Sequence, residues 1–470
     1  KSENWQALNL LLEKYREKVK CIYIDPPFNT GTNEFLYKNN YLDSSWITMM
    51  YDRLQVGRCM LAHDGSIYVR IDYHGNHYIR MVMDYVFGKD YFGNEIVINR
   101  FRRQLGELTR FNVATDSLFY YTKSASPYFA TVYRKRVCSF CGQEIERQWR
   151  PMSSPGLRHP PERVVLGREL LPPKGRHWTF TQKKIEAMEK ESRIRINEGI
   201  SYVDLAGNRV KGLPEYLQTE DTPVDSIWTD LKGYVFGSTF PTENPEELIK
   251  RSLEVSSQEG DWVMDYFLGS GTTTAAAHKM RRKWIGVEMG NYFDTIVLTR
   301  MKEVLHGEQS GISRDATWQG GGFFKYHHLE QYEDTLNNLE LPREREGQSA
   351  FETFGDEYLL KYMLDFETQG SPSLLNLDRF KDPFAYKLKV QEGDEIVERS
   401  VDLVETFNYL LGLQVRKVRA FQGNGRPYRA VLGEKNGKRV AIVWRSVVGL
   451  EKDEEALMKD KAFIEKTVLP

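Results

Sequence analysis

Cysteine is scarce, with 4 in 470 residues. This excludes a disulfide-stapled scaffold and points to a reducing compartment. Long apolar runs are missing too. No window reaches eighteen uninterrupted apolar residues, so a membrane span is not expected. The chain opens Lys-Ser-Glu-Asn-Trp, with no Met and no leader of basic, apolar and small residues. With the abrupt ending Thr-Val-Leu-Pro, this leads us to expect natural residues beyond both ends. Net charge is nearly absent, −1 with histidine neutral, so the whole chain makes no electrostatic case for a nucleic-acid partner. There is no internal repeat, no P-loop Gly-Lys-Ser/Thr and no complete Gly-x-Gly-x-x-Gly. A translocating motor would therefore need another chain.

The charge that is present is unevenly placed. Between Arg100 and Lys184 there are 17 basic and 6 acidic residues, a net +11 against −12 for the remainder. Such a block is either a phosphate-tracking surface or a merely solvated face. A length of 470 residues exceeds one hydrophobic core, so two to four domains are expected.

Residues 1–125 alternate helical and strand patterns. Asn4–Tyr15, Ser45–Ala62 and His77–Gly88 carry apolar residues at helical spacing, and Val19–Asp25, Gly65–Asp72, Asn94–Phe101 and Ser117–Ser124 read as strands. That alternation predicts an α/β sheet covered on both faces. Residues 126–233 break it. They are dense in Pro, Gly and Arg and read as a loop-rich insertion that contacts a surface instead of forming a core. The alternation returns over 234–330, where Asn244 is expected at a helix N-cap and Pro245 in its first turn. Residues 331–470 begin acidic and helical and end in α+β patterning, with a hairpin turn at Asn436-Gly437.

Two stretches carry chemistry. In the first, Cys-Ile-Tyr-Ile-Asp-Pro-Pro-Phe-Asn-Thr-Gly (residues 21–31), a buried strand ends in a carboxylate, a rigid diproline and a ring. In the second, Val-Met-Asp-Tyr-Phe-Leu-Gly-Ser-Gly-Thr-Thr-Thr (residues 263–274), strand and acid lead through a Gly-rich turn into a helix. Gly269 and Gly271 let backbone approach a ligand, and the helix N-terminus behind them is electropositive. Glu288 ends the next strand, where an acid commonly holds ribose hydroxyls. The pair describes an adenosine-type pocket beside a reacting group. Taken alone, Asp-Pro-Pro is a tight turn and Gly-x-Gly a strand–helix connection.

Together, Asp-Pro-Pro-Phe and Asp-Tyr-Phe-Leu-Gly-Ser-Gly-Thr-Thr resemble the amino-group DNA methyltransferases that use S-adenosylmethionine. The order of catalytic motif, basic insertion and cofactor motif is similar to their permuted beta class, and most of all to modification subunits of type III restriction–modification systems. Ser2-Glu3-Asn4 resembles the segment before the catalytic strand, with Ser2 departing from Gly. Asn244 stands where relatives often have Lys. The resemblance covers roughly residues 1–330. It implies a Rossmann-like class I methyltransferase domain, a mostly parallel seven-stranded sheet in permuted order, with an inserted target-recognition region and an α+β C-terminal domain for dimerisation or assembly.

It further implies transfer of a methyl group to N6 of an adenine flipped from double-stranded DNA, in a prokaryotic, nucleoid-associated and membrane-free setting. Asp25 and the Pro26 carbonyl would accept the two amine hydrogens, Pro27 would stiffen the tip, and Phe28 would stack on the base. Asp265, Phe267, Gly269, Ser270, Gly271, Thr272 and Glu288, with Thr242, Asn244 and Pro245, would hold the cofactor. Asp265 acts there directly, through the loop backbone, or only as a helix cap. Arg147, Arg150, Arg158, Arg176 and Trp178 are candidates for phosphates, guanine edges or base stacking, with core packing as the alternative for each aromatic. A homodimer and a restriction nuclease–helicase subunit are the expected protein partners.

No metal is expected. Cys138 and Cys141 make only half a zinc site, for which His159 and His177 are the nearest further ligands. Two other readings stay open. One is an assembly and specificity subunit with methylation secondary. The other is a cytosine-N4 or RNA substrate, which Asp25 and the duplex-reading insertion disfavour.

Overall fold

The computed structural model describes residues 1–29, 41–100, 111, 113–135, 148–158, 161–218, 221–235, 240, 242–331, 334, 338, 381–392, 395–450 and 453–468. It divides into two compact units, Lys1–Ala130 with Ser226–Pro470, and Thr131–Asp225.

The first unit is built on a seven-stranded sheet. Its strands are β1 (Val19–Ile24), β2 (Leu61–Ile71), β3 (Phe92–Asn99), β4 (Thr115–Thr122), β5 (Ile227–Trp228), β6 (Trp262–Asp265) and β7 (Lys283–Gly286). The spatial order is β5-β3-β4-β2-β1-β6-β7. β1 pairs in parallel with both β2 and β6, β6 with β7, and β5 with β3; β4 runs antiparallel to β2 and β3. A central parallel strand is buried on both faces, which is why β1 reads as a continuous apolar run.

One face is covered by α1 (Asn4–Tyr15), α2 (Asp43–Met60) and α3 (Asn76–Phe87). Leu8, Trp46, Met50, Leu54, Ile79 and Phe87 pack there on Ile22, Ile24, Ile67 and Val69. The other face carries a row of rings, Tyr23 stacked on Tyr68 and Tyr68 tilted against Tyr120. It lies under α4 (Glu246–Ser256), whose Ser256 hydroxyl bonds Tyr68 at 2.6 Å. α5 (Thr272–Lys279) and α6 (Val297–Leu305) complete this layer. The helices and strands expected over residues 1–125 and 234–330 are present, except that Phe101 lies outside the described residues, as does most of the acidic helical stretch expected from residue 331 onward.

α4 begins one residue later than expected. Pro245 is its N-cap residue and makes no side-chain cap bond. Asn244 therefore lies before the helix, and its amide goes elsewhere, as described below.

Toward the C-terminus come a hairpin (Lys387–Glu392 with Glu395–Ser400), α7 (Leu403–Leu410), an antiparallel sheet of Gln414–Gly423, Arg426–Lys435 and Lys438–Arg445, and α8 (Glu454–Phe463). The expected turn is there, with Asn436 and Gly437 both at positive φ; a second such turn, Asn424-Gly425, precedes it. α7 docks on α1, where the Lys14 ammonium lies 3.8 Å from the centre of the Tyr409 ring.

The second unit corrects the expectation of a coreless insertion. It has a three-stranded sheet (Ile194–Val203, Arg209–Gln218, Gln148–Pro151) and a helix, Gln182–Lys190. Met152, Val165, Trp178, Ile185, Met188 and Ile194 form its core. Most of its other strands are three residues long, too short to show a period in sequence.

Behind the Gly-rich turn, Lys279 is buried at the end of α5. Its ammonium lies 3.0 and 2.8 Å from the two Glu246 oxygens and also pairs with Glu308. Lys279→Met is expected to cost about 3 kcal/mol, the lower end for a broken buried pair, because Arg300 remains beside Glu246. A thermal melt matching wild type would show that the pair adds nothing.

Candidate active site

β1 ends at Ile24 and the chain leaves the sheet as Asp25-Pro26-Pro27-Phe28. Two prolines remove the ladder donors and fix φ, so the strand has to stop. The Trp46 indole N–H donates to the Pro27 carbonyl at 2.7 Å and pins the tip to α2. Phe28 is half-buried against the core. Asn29 takes a left-handed conformation, with its Oδ1 accepting from the Tyr41 N–H at 2.7 Å.

Asp25 Oδ2 accepts the Asn244 amide at 2.7 Å. Its Oδ1 is shielded from solvent and has no hydrogen-bond partner among the described residues. Asn244 in turn accepts from the Arg70 guanidinium through its own oxygen. Arg70 is fully buried on β2. It also donates to the Gly233 carbonyl at 2.8 Å and to Asp116 at 2.7 Å, and its guanidinium carbon sits 4.3 Å from the centre of the Tyr234 ring. Arg100 extends the chain of charges to Asp116 at 3.4 Å and Asp72 at 2.9 Å.

Burial pushes the Asp25 carboxyl up to about 6, with Asp116 and Asp72 adding to the rise; Arg70 and the Asn244 hydrogen bond hold it down. Burial lowers the Arg70 pKa, but Tyr234, Asp25 and Asp116 around it more than reverse this and raise it above the ordinary value.

Next to β1, β6 ends in Asp265. Its Oδ1 accepts the Phe267 N–H at 2.9 Å and its Oδ2 the Thr273 hydroxyl at 2.7 Å. Asp265 therefore acts on the loop backbone and the first turn of α5, and the cap position itself is Gly271. Burial raises its carboxyl to about 7. Gly271 lies at φ 88°, and a Cβ there would come within 3.2 Å of Val297, so both conformation and space demand glycine. Glu288 closes the loop from the next strand, accepting N–H groups from Gly269, Met289 and Gly290 at 2.8–2.9 Å. Ser2 and Asn4 sit at the same place, the Ser2 N–H on the Glu288 carbonyl and the Asn4 amide on the Tyr266 carbonyl.

The segment Thr242–Glu246 joins these halves. Asn244 reaches Asp25, while its neighbour Glu243 pairs with Arg300 at 2.6 Å. Arg300 also donates to the Thr272 hydroxyl at 3.1 Å, with Ser270 Oγ at 3.5 Å. Thr242 is half-buried and Pro245 buried beside them. Arg70, Asp116, Glu243 and Arg300 were not anticipated. The signal available for the first two was a charge inside an apolar strand run, Tyr-Val-Arg-Ile and Thr-Asp-Ser-Leu-Phe.

In the second unit, Arg150 and Arg158 are exposed. Arg176 is held by Ser153, at 3.0 Å to its hydroxyl and 2.5 Å to its carbonyl. Trp178 corrects its expected role. It is 3% exposed, its indole N–H donates to the Leu170 carbonyl, and it packs in the core, where no base can stack on it. Arg147, Cys138, Cys141 and His159 lie outside the described residues. His177 is buried, with its Nδ1 at the Gly156 carbonyl.

The family model for DNA methylases matches residues 19–298, more than half of the chain and both halves of this site. The chain belongs to the DNA methylase family. It is 28% identical over 441 residues to the probable type III restriction–modification enzyme HindVI Mod subunit of Haemophilus influenzae, covering 77% of this chain and 58% of that one. It is also 28% identical over 321 residues to the type II methyltransferase M.EcaI of Enterobacter cloacae, covering 64% of this chain and 68% of that one. The chain thus spans little more than half the length of the Mod subunit. Among solved structures, the M1.HpyAVI–SAM complex aligns with 64% of this chain and 96% of its own, at 12% identity and a TM-score of 0.35.

The Asp25 titration can be read directly. We expect its carboxyl carbon to titrate near pH 6 by NMR. Asn244→Ala removes a hydrogen bond that favours the ionised form, so the midpoint should move up. A wild-type midpoint near 4 would contradict the buried network.

Proposed function

We propose that this DNA methylase transfers a methyl group from S-adenosylmethionine to N6 of an adenine extruded from duplex DNA. The observation that carries the proposal is Asp25 Oδ1, shielded from solvent and without a hydrogen-bond partner among the described residues, at the tip of the strand next to the Gly-rich turn. A buried acceptor without a donor costs about 1–3 kcal/mol, and an exocyclic amine supplies the missing donor.

Asp25 Oδ1 and the Pro26 carbonyl would each accept one amine hydrogen. That draws the nitrogen toward tetrahedral geometry and frees its lone pair from the ring. Phe28 would stack on the extruded base, a contact worth about 1–3 kcal/mol. The cofactor would supply an electrophilic methyl on a sulfonium. The residues present suit such a group. Glycine at positions 269 and 271 admits close approach, Glu288 would accept from ribose hydroxyls alongside the backbone N–H groups it already holds, and Asp265 and Thr272 hold the loop. Asp25 or solvent would take up the proton that the amine gives up on accepting the methyl group. The remaining work is positioning in a site largely shielded from water.

The names of the Mod-subunit relatives support the modification role of a restriction–modification pair. We place Arg150 and Arg158 among the DNA contacts of the second unit, and assign assembly as a homodimer, with a nuclease–helicase partner, to the C-terminal region. A sizing column should then show a dimer; a monomer at micromolar concentration would contradict that assembly.

The test of the chemistry uses labelled S-adenosylmethionine and mixed-sequence duplex, with products digested to nucleosides and identified by mass. N6-methyladenine is expected, and Asp25→Ala should lower the rate at least about a hundredfold, the usual cost of losing one transition-state hydrogen-bonding group. The rate should also fall as pH drops below about 6, where Asp25 takes up a proton. N4-methylcytosine would overturn the adenine assignment. No product with cofactor binding intact would favour an assembly subunit instead.

A further inference from the structure

The C-terminal antiparallel sheet, residues 414–445, holds nine Arg and Lys and a single acid, Glu434, a net +8 in a chain of net −1. Its own neighbours occupy part of that charge. Arg416 pairs with Glu434, Arg426 and Arg445 with Asp460, and Arg429 lies over Phe384. Lys417, Arg419, Lys438 and Arg439 are exposed and have no ion-pair partner among the described residues.

The register shows where they lie. Lys417 faces Leu432 and Arg419 faces Ala430 on the middle strand, while Arg439 faces Glu434 from the other side. Residues 430, 432 and 434 alternate onto one face, so Lys417, Arg419 and Arg439 share it. Lys417 and Arg419 stand two residues apart on an edge strand, about 7 Å at strand rise, and Arg439 lies about 12 Å away across three strands. Lys438 adjoins it at the Asn436-Gly437 turn.

We propose that this face is a docking surface for the phosphate backbone of duplex DNA, separate from the basic second unit. The inference rests on the DNA-methylase reading of the chain. Spacing and chemistry favour a polyanion. The cations are regularly placed on a sheet with one acid, and two of them are arginines, whose fork suits phosphate oxygens. Contacts of this kind add affinity without sequence preference. The competing account is that lysines on an edge strand only prevent edge-to-edge pairing.

The experiment measures binding of mixed-sequence duplex to the whole chain across a salt series. Changing Lys417, Arg419, Lys438 and Arg439 together to Gln should weaken binding more than tenfold at low salt. It should also make the slope of log affinity against log salt shallower by about 3 to 4, at roughly 0.9 per phosphate. Cofactor affinity should not change. An unchanged slope in a variant that still binds cofactor overturns the proposal, and so does aggregation with unaltered DNA binding. A second measurement needs no variant: duplex DNA should protect Lys417 and Lys438 of the wild-type chain from acetylation several-fold. Equal labelling with and without DNA overturns the proposal as well. If wild type methylates DNA yet neither readout moves, only this surface is wrong. If wild type neither binds nor methylates DNA, the functional reading itself has failed.

Discussion

The buried cation Arg70 and the carboxylates around it are the constraint on which the site depends. A guanidinium with no solvent exposure is tolerated only when opposite charge and acceptors are packed around it. Here Asp116 supplies the opposite charge to one terminal nitrogen, the Gly233 and Asn244 oxygens accept from the other, and the Tyr234 ring covers its face, while Nε has no hydrogen-bond partner among the described residues. Asn244 is the neutral link between Arg70 and Asp25, and an amide has two ends. Its oxygen is committed to Arg70, so its nitrogen faces Asp25. That fixes which Asp25 oxygen is occupied and which is left over. The unpartnered acceptor at the strand tip is therefore a consequence of packing a charge into β2.

The same five-residue segment, Thr242–Glu246, carries the constraint to the other motif. Glu243 points the opposite way from Asn244 and reaches the Thr272 turn through Arg300. One stretch of backbone thus sets both the base-side carboxylate and the Gly-rich loop. Asn at position 244 fits this arrangement. A second cation facing Arg70 across Asp25 would have to be matched by further negative charge, whereas Asn adds hydrogen bonds and no charge.

Much of this was legible in the sequence. Continuous apolar runs and period-3.6 patterns marked the sheet and its helices, because the central strands are buried on both faces and each helix along one stripe, and Asp25, Asp265 and Glu288 stood out as acids at strand ends. What was not legible had physical reasons. Arg70 and Asp116 looked like single charges in apolar strands, and only the pairing of β2 with β4 brings them together. Sequence left Trp178 between base stacking and core packing because its strand is three residues long and the insertion's core comes from scattered residues. Asn244 was read as a helix cap because Asn before Pro-Glu-Glu is locally good capping chemistry; the tertiary bond to Asp25 wins over the local one. The third strand of the C-terminal sheet was missed although its Asn424-Gly425 turn carries the same signal as the turn that was recognised.

The central claim is that Asp25 Oδ1 is the seat of the reacting amine. It is tested most directly by a crystal structure of the chain with an unreactive cofactor analogue and a duplex containing its mapped site. The account predicts an extruded base with its exocyclic amine within hydrogen-bond distance of Asp25 Oδ1 and the Pro26 carbonyl, while Asn244 stays on Oδ2. An extruded base bound with its amine beyond reach of Asp25, or with Oδ1 taken by a protein donor, would contradict it.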